Sequence, residues 1–483
     1  MSRTGTAPTV RTGLVRAEGA QLVDDQGPLL LRGVGLGNWL LAEGYMWRFG
    51  DEQSSPRQIE ARIESLVGAD AAAVFWRRFR DVFITEADIR AIAEAGFDHV
   101  RLPINARGVL ADDGSWREDG FALIERAVGW GEAHGLRVLL DVHGAPGGQT
   151  GTNIDDSPNG RPELFENETY RAQTIALWEE LARRYRDRDS VIGYDLLNEP
   201  LPNDWQHRYP AELVQLYRDL TDAIRAIDDR HLIVYEGSHW ATNWSVLRER
   251  FDDNQLLQFH RYWCPPDTTS IAEYLEVRDS LETPIYMGEG GENTPGWLYA
   301  ATQLYERHGI GWNLWPWKKL GTRTSPYSAV VPEGWQLIAD PSAMLGAAEA
   351  QGVLDAFLDA VELQRCERRQ PVLDAVFARP SFRIPAWAGV RDGVETPIAA
   401  LADRPLPEGL WHHTGGAPYS EEEVAVAVRM EAGSRLVFPL AQAPGSWTVD
   451  ADDPGALEAR WEGAALVLEA RAAARVRGVD VMP

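Results

Sequence analysis

A (β/α)8 barrel of the TIM type with a C-terminal antiparallel β-sandwich is the fold this chain of 483 residues predicts. Three observations lead there. Short apolar runs alternate eight times with longer amphipathic stretches, two of those runs end on a glutamate, and the texture of the chain changes near residue 378.

Residues 29–36, 98–104, 136–142, 191–197, 232–235, 256–259, 284–287 and 311–314 are short and mostly apolar, the pattern of parallel strands buried on both faces. Between most of them, residues 85–95, 120–133, 169–186, 211–227, 270–280 and 296–308 repeat apolar positions at helical spacing. Eight such units argue for a barrel over residues 25–377, preceded by an N-terminal extension at 1–24. From about Ala378 the helical spacing stops, prolines cluster (Pro380, Pro385, Pro397, Pro405, Pro407), and alternating runs appear at 423–429, 435–440, 446–449 and 465–469. These predict the sandwich at 378–483. Its tryptophans, Trp387, Trp411, Trp447 and Trp461, are few and scattered, which favours covering the barrel's flank over binding sugar.

Composition narrows the function. Net charge is −26, from 73 acids against 47 bases, so nucleic acid and anionic membranes would be repelled as partners. No stretch approaches the ~18 uncharged apolar residues of a membrane span, and the start lacks the apolar centre of a secretory signal. Only Cys264 and Cys366 occur, in no metal-like or disulfide-like spacing. A cytoplasmic location is the expectation. Nineteen tryptophans are many for this length, and the flat face of tryptophan stacks on the C–H face of a sugar ring. Trp39, Trp47, Trp240, Trp244, Trp263, Trp312, Trp315 and Trp317 fall near strand ends.

The chemistry is carried by carboxylates. Asn198-Glu199-Pro200 closes the run that starts at Val191, and Glu289 closes the run that starts at Pro284. Two glutamates at C-terminal ends of barrel strands face one cleft, as glycoside hydrolysis requires. Glu199 is the acid candidate, because a desolvated mouth walled by tryptophan favours its protonated form. Glu289 is the nucleophile candidate and must stay ionised, with Arg101 supplying positive charge and Tyr262 a hydroxyl. Asn198 is placed to bond a sugar 2-hydroxyl. His143 follows another strand, before glycines that let backbone approach a ligand. His143 and His260 each can orient a glutamate or a sugar hydroxyl. Glu236 is a third carboxylate at the rim, read as a substrate contact or as a modulator of Glu199. In the last strand segment Trp315 is the chosen sugar platform and Lys318 a hydroxyl contact.

Competing chemistries find less support. A metal site from His143, His260 and Glu199, Glu236 or Glu289 lacks the HExxH spacing, so no metal is expected. There is no GxSxG elbow or Walker loop, and Gly33-Val34-Gly35-Leu36-Gly37-Asn38-Trp39 lacks the third spacing of a dinucleotide loop.

At Arg101, His143, Asn198-Glu199-Pro200, His260, Tyr262, Glu289 and Trp315, in that order, the chain resembles glycoside hydrolase family 5 of clan A. The resemblance covers the barrel. It implies a retaining mechanism with Glu199 as acid/base and Glu289 as nucleophile, ~5 Å apart, and no metal or organic cofactor. Residues 140–151 and 311–318 look like the exo-acting β-glucanase branch. The aromatic first loop, residues 40–49, and the C-terminal sandwich look more like lineages handling glycolipids or small glycosides, and that loop should narrow the cleft to a pocket. The leading expectation is an exo-acting glycosidase on 1,2-trans, β-glucoside-type oligosaccharides or small glycosides. An α-L-arabinofuranosidase or β-D-galactofuranosidase, a diglycosidase and an endo-β-glucanase stay open within the family. A catalytically silent sugar-binding barrel stays open outside it, opposed by the presence of both glutamates.

Overall fold

Eight parallel strands close into a barrel, each formed by one of the short apolar runs. The computed structural model describes residues 13–50, 55–406, 410–411 and 426–483. Three antiparallel strands come first: β1 (Arg16–Glu18), β2 (Gln21–Asp24) and β3 (Gly27–Leu29). The barrel strands are β4 (Arg32–Gly35), β5 (His99–Asn105), β6 (Arg137–Gly144), β7 (Val191–Asp195), β8 (Leu232–Glu236), β9 (Gln255–Arg261), β10 (Ile285–Gly291) and β11 (Gly311–Trp315). They follow one another in chain order, and β11 pairs with β4 to close the ring. Nearly every residue of these strands is buried, because helices cover the outer face and side chains fill the inner one.

The expected helices form at Glu86–Ala95, Glu118–His134, Glu168–Tyr185, Pro210–Arg225, Ala272–Leu281 and Pro295–Arg307. Their ends obey local chemistry. Thr85 and Asp88 form a capping box at the first, and Gly135 ends the second in a left-handed conformation.

The residue 24/25 boundary falls inside the β2–β3 hairpin. Val15, Leu22 and Leu29 of this meander pack on Leu139, Ile192, Leu232, Leu256 and Tyr286. It therefore plugs one end of the barrel and leaves the C-terminal strand ends as the accessible face. The part of the extension at residues 1–12 lies outside the described residues.

Beyond residue 382 the described residues form two four-stranded antiparallel sheets, one of them containing Arg435–Pro439, Leu457–Glu462 and Ala465–Ala470. The strand expected at 423–429 is seen as Val428–Met430, since 423–425 lie outside the described residues. The sandwich lies on the barrel's flank. Tyr299, in the helix Pro295–Arg307, donates its hydroxyl to the Pro439 carbonyl at 2.8 Å, and Asp267 accepts from the Ile398 amide at 2.7 Å. Trp387 and Trp411 are buried edge to face, 4.9 Å apart, and so offer no sugar platform.

Candidate active site

The site is assembled at the C-terminal strand ends around Arg101. Its side chain is fully buried inside the barrel and faces four carboxylates. Nε donates to Asp195 at 2.8 Å, one terminal nitrogen to Glu236 at 3.0 Å, and the other lies 3.2 Å from Asp141 and bonds Glu289. A lone guanidinium in this position would be prohibitively costly, and a lone carboxylate equally so; the Arg101 charge pulls the carboxyls down against the rise that burial imposes on them. Arg101 also donates to the Asn198 side-chain oxygen at 3.0 Å.

Glu289 sits where β10 slips register against both neighbours, so that it pairs with His260 of β9 after a bulge at Gly288. Gly288 is required there, since a Cβ would lie 2.0 Å from the Gln258 side chain. The bulge turns the Glu289 carboxylate toward the cavity, where it accepts from the Tyr262 hydroxyl at 3.1 Å and from Arg101. Burial pushes the Glu289 carboxyl above its ordinary range; His260 and Arg101 pull it back, and the neighbouring charge of Glu199 pushes it up again.

Glu199 follows β7 with a left-handed backbone, φ 45°. Its amide donates to Glu236 at 2.7 Å, and its carboxylate meets His260 Nδ1 at 2.7 Å. Burial opposes charge on His260, yet Glu236, Glu289 and the hydrogen bond to Glu199 outweigh it and raise the imidazole well above its usual value. The His260 imidazole is thus held protonated. One carboxylate oxygen from each glutamate and a nitrogen of His260 all lie within 4.8 Å of one another. A carboxylate–imidazole trio of this kind has the donor types of a metal site. The Arg101 charge bonded to Glu289 opposes a cation there, and His260 Nδ1 is already committed to Glu199.

His143 lies on the other wall. Nδ1 donates to Asp141 at 2.7 Å, leaving Nε2 to accept from Asn198 at 3.3 Å, and the ring stacks on Trp315 at 5.4 Å. Burial pushes this imidazole down to about 4, so it is neutral at ordinary pH, and burial pushes Asp141 up to about 8 against the pull of Arg101. The ring of Trp315 occupies space that Gly35 and Gly37 leave open, for a Cβ at either would come within 2.5 Å of it. The glycines at 35 and 37 thus make room for the Trp315 ring.

A cavity of about 680 Å³ opens beside both glutamates. His143, Glu199, His260, Tyr262, Glu289 and Trp315, distant in the chain, all line it. Arg101, Asn198 and Glu236 do not. They lie behind the wall, at most 1% exposed, and touch the cavity-lining Glu289, His143 and Glu199. Glu236 is therefore a positioning residue: its charge is held below the ordinary range, against burial, by His260, Arg101 and the Glu199 amide. Of the tryptophans expected near strand ends, Trp240, Trp263 and Trp315 line the cavity. Trp39, Trp47, Trp244, Trp312 and Trp317 are core side chains, Trp47 packing on Phe79 and Phe357 within 4.9 Å.

Lys318 is a correction of a different kind. Its ammonium is fully buried against Asp88 at 3.0 Å, the residue that also caps Glu86–Ala95. The next residue, Lys319, lines the cavity and pairs with Glu292, because successive strand side chains point to opposite faces. Replacing Lys318 by Met should strand the Asp88 charge and cost roughly 3 kcal/mol of stability in denaturant melts, with KM for any substrate unaltered. An altered KM at full stability would put Lys318 back in the site.

Sequence reasoning passed over Asp141, Asp195, Gln258, Glu43, Tyr45, Glu292 and Lys319. A signal existed for the first three: polar residues inside otherwise apolar strand runs point inward toward a partner charge. Glu43 and Tyr45 of the first loop reach the cavity, as does Glu292 after β10. The Glu43 carboxyl is pushed well up by burial and by Glu289, Glu199 and Glu292, and one of its oxygens is buried without a hydrogen-bond partner, 3.7 Å from His143 Nε2.

Comparison with known proteins agrees with this chemistry. A probable glucan 1,3-beta-glucosidase A of Emericella nidulans is 37% identical over 297 residues, 58% of this chain and 71% of that one. A beta-xylosidase of Phanerodontia chrysosporium is 27% identical over 360 residues, 65% of this chain and 74% of that one. Among solved structures, an endogalactoceramidase superposes with a TM-score of 0.52 at 16% identity, over 97% of this chain and 100% of that one, a likeness of fold that includes the sandwich. The family model for cellulase (glycosyl hydrolase family 5) matches residues 63–321, more than half of the chain and both strand-end glutamates. This chain, an O-glycosyl hydrolase whose substrate is carbohydrate, belongs to glycosyl hydrolase family 5.

Proposed function

We propose that the protein is a retaining, exo-acting β-glycosidase, most active on β-glucosides of small size. One observation carries this reading: carboxylate oxygens of Glu199 and Glu289 within 4.8 Å of each other, on one cavity. Retaining enzymes hold their carboxyl groups ~5–5.5 Å apart, whereas inverting ones need ~6.5–9.5 Å to admit a water.

In the first step Glu289 attacks the anomeric carbon, the C1–O bond breaks, and the departing oxygen takes a proton from the Glu199 carboxyl. In the second, water attacks C1 and gives a proton to Glu199 as the bond to Glu289 breaks. Arg101 and Tyr262 stabilise the Glu289 carboxylate before attack and after release. His260 keeps the Glu199 side chain aimed and shares its proton.

Exo action is supported by the shape of the site. Glu43 and Tyr45 of the first loop, with Glu292 and Lys319, wall off the glycone side, and their buried polar groups suit the hydroxyls of a terminal sugar. The relatives carry names for the release of β-linked glucose and xylose, which favours β configuration. A panel of aryl glycosides tests the reading. Glucose should be released fastest, and NMR of the first product should show the β anomer before mutarotation. Release from every aryl sugar except glucose, or α-anomer first, would refute it.

A further inference from the structure

A group that protonates a departing oxygen must stand on the side of the leaving group, so the wall fastened to the Glu199 loop borders the leaving-group half of the cavity. That wall is Trp240. His239, Trp240 and Ala241 are consecutive non-glycine residues with φ of 53°, 60° and 57°, a conformation that persists only where surroundings impose it. Here the Glu199 loop imposes it. The His239 amide donates to the Pro200 and Leu201 carbonyls at 3.0 and 3.2 Å, and the Asn203 amide donates to His239 Nδ1 at 3.0 Å.

Strand order then divides the cavity. Trp240 follows β8, which pairs with the β7 that carries Glu199, and Trp263 follows β9, the next strand round the ring. Glu43 and Tyr45 follow β4, Glu292 follows β10 and Lys319 follows β11, on the opposite arc. One arc offers buried carboxyl, hydroxyl and ammonium groups to a sugar; the other offers two indole rings, with Asn153, Ile154 and Thr242 also lining the cavity. Arg261 on that arc is turned away, its Nε bonded to the Ser270 carbonyl at 2.9 Å and its guanidinium over the Tyr274 ring. A second sugar would find few hydrogen-bond partners there. A flat apolar group would find stacking surface, and Trp263 is 42% exposed at the rim.

We propose that Trp240 and Trp263 form a binding site for a flat, apolar aglycone, so that the substrates are glycosides of aromatic or polycyclic alcohols in preference to sugar–sugar linkages. This rests on the function proposed above. The test compares full-length wild type and Trp240→Ala on 4-methylumbelliferyl β-glucoside, whose leaving group is a flat bicycle, on β-glucosyl fluoride, whose leaving group has no ring, and on the disaccharides cellobiose and laminaribiose. Loss of the stacking ring should lower kcat/KM for the methylumbelliferyl substrate about thirtyfold, and for the fluoride less than threefold. The wild type should prefer the methylumbelliferyl substrate to both disaccharides. Equal losses on both monosaccharide substrates, or a wild-type preference for a disaccharide, overturn the assignment while leaving the glycosidase reading intact. No release of fluoride by the wild type overturns both. Trp263→Ala, at the exposed rim, gives the same comparison should Trp240→Ala not fold.

Discussion

Glu289→Gln is expected to lower kcat on an aryl β-glucoside by about 10⁴-fold or more, while the variant still binds the substrate and retains its fold. The amide is nearly the same size, and its oxygen can still accept from Arg101 and Tyr262. What it lacks is an electron pair that will form an ester at C1. Fluorescence titration with an inert sugar ligand, beside the kinetics, separates binding from chemistry. A rate within tenfold of wild type would remove Glu289 from the nucleophile's role.

Glu199→Ala should act on a different step. General acid catalysis contributes about 10²–10⁴-fold, and its loss bites hardest where the leaving group is a poor one. The variant should therefore be almost inert on alkyl glucosides and only mildly impaired on dinitrophenyl glucoside. Added azide should restore turnover by occupying the space of the missing carboxylate and yielding a β-glucosyl azide. A loss independent of the leaving group would count against acid catalysis. The pH profile supplies a second reading. Glu289 is active when ionised, and its raised range owes first to burial and then, against His260 and Arg101, to the nearby Glu199 charge. Removing Glu199 takes away one contribution to the rise, so the acid limb of kcat/KM should move to lower pH. A limb that moves upward would contradict the coupling.

The eight strands and six of the helices were legible because each announces itself within a dozen residues. A run buried on both faces must be apolar throughout, and a helix with one buried face must repeat its apolar positions at helical spacing. The end of a strand before Asn198-Glu199-Pro200 is equally local. So is the alternation that marks Arg435–Pro439 and Ala465–Ala470. The strands Leu457–Glu462 and Ala474–Met482 went unread, since charged residues and a glycine interrupt their apolar positions.

Charge partners were not legible. Arg101 could be marked as a source of positive charge, but its carboxylates lie 40 to 188 residues away along the chain, at Asp141, Asp195, Glu236 and Glu289. Only closure of the ring makes them neighbours. The same holds for depth: Glu236 ends a strand just as Glu289 does, yet one is sealed behind the wall and the other is turned into the cavity by a bulge. One residue of register separates the buried Lys318 from the cavity-lining Lys319.

By itself, then, the sequence determined which segments become strands and helices, which two glutamates stand at strand ends, and that tryptophan would wall the mouth. Those properties depend on hydrophobic period and on residues a few positions apart, which the chain carries locally. Tertiary structure alone decided which polar groups line the cavity and which support them from behind, and which arc of the ring brings polar groups to it and which brings indoles. Those depend on barrel register and closure, where a shift of one residue or one strand exchanges solvent-facing for buried.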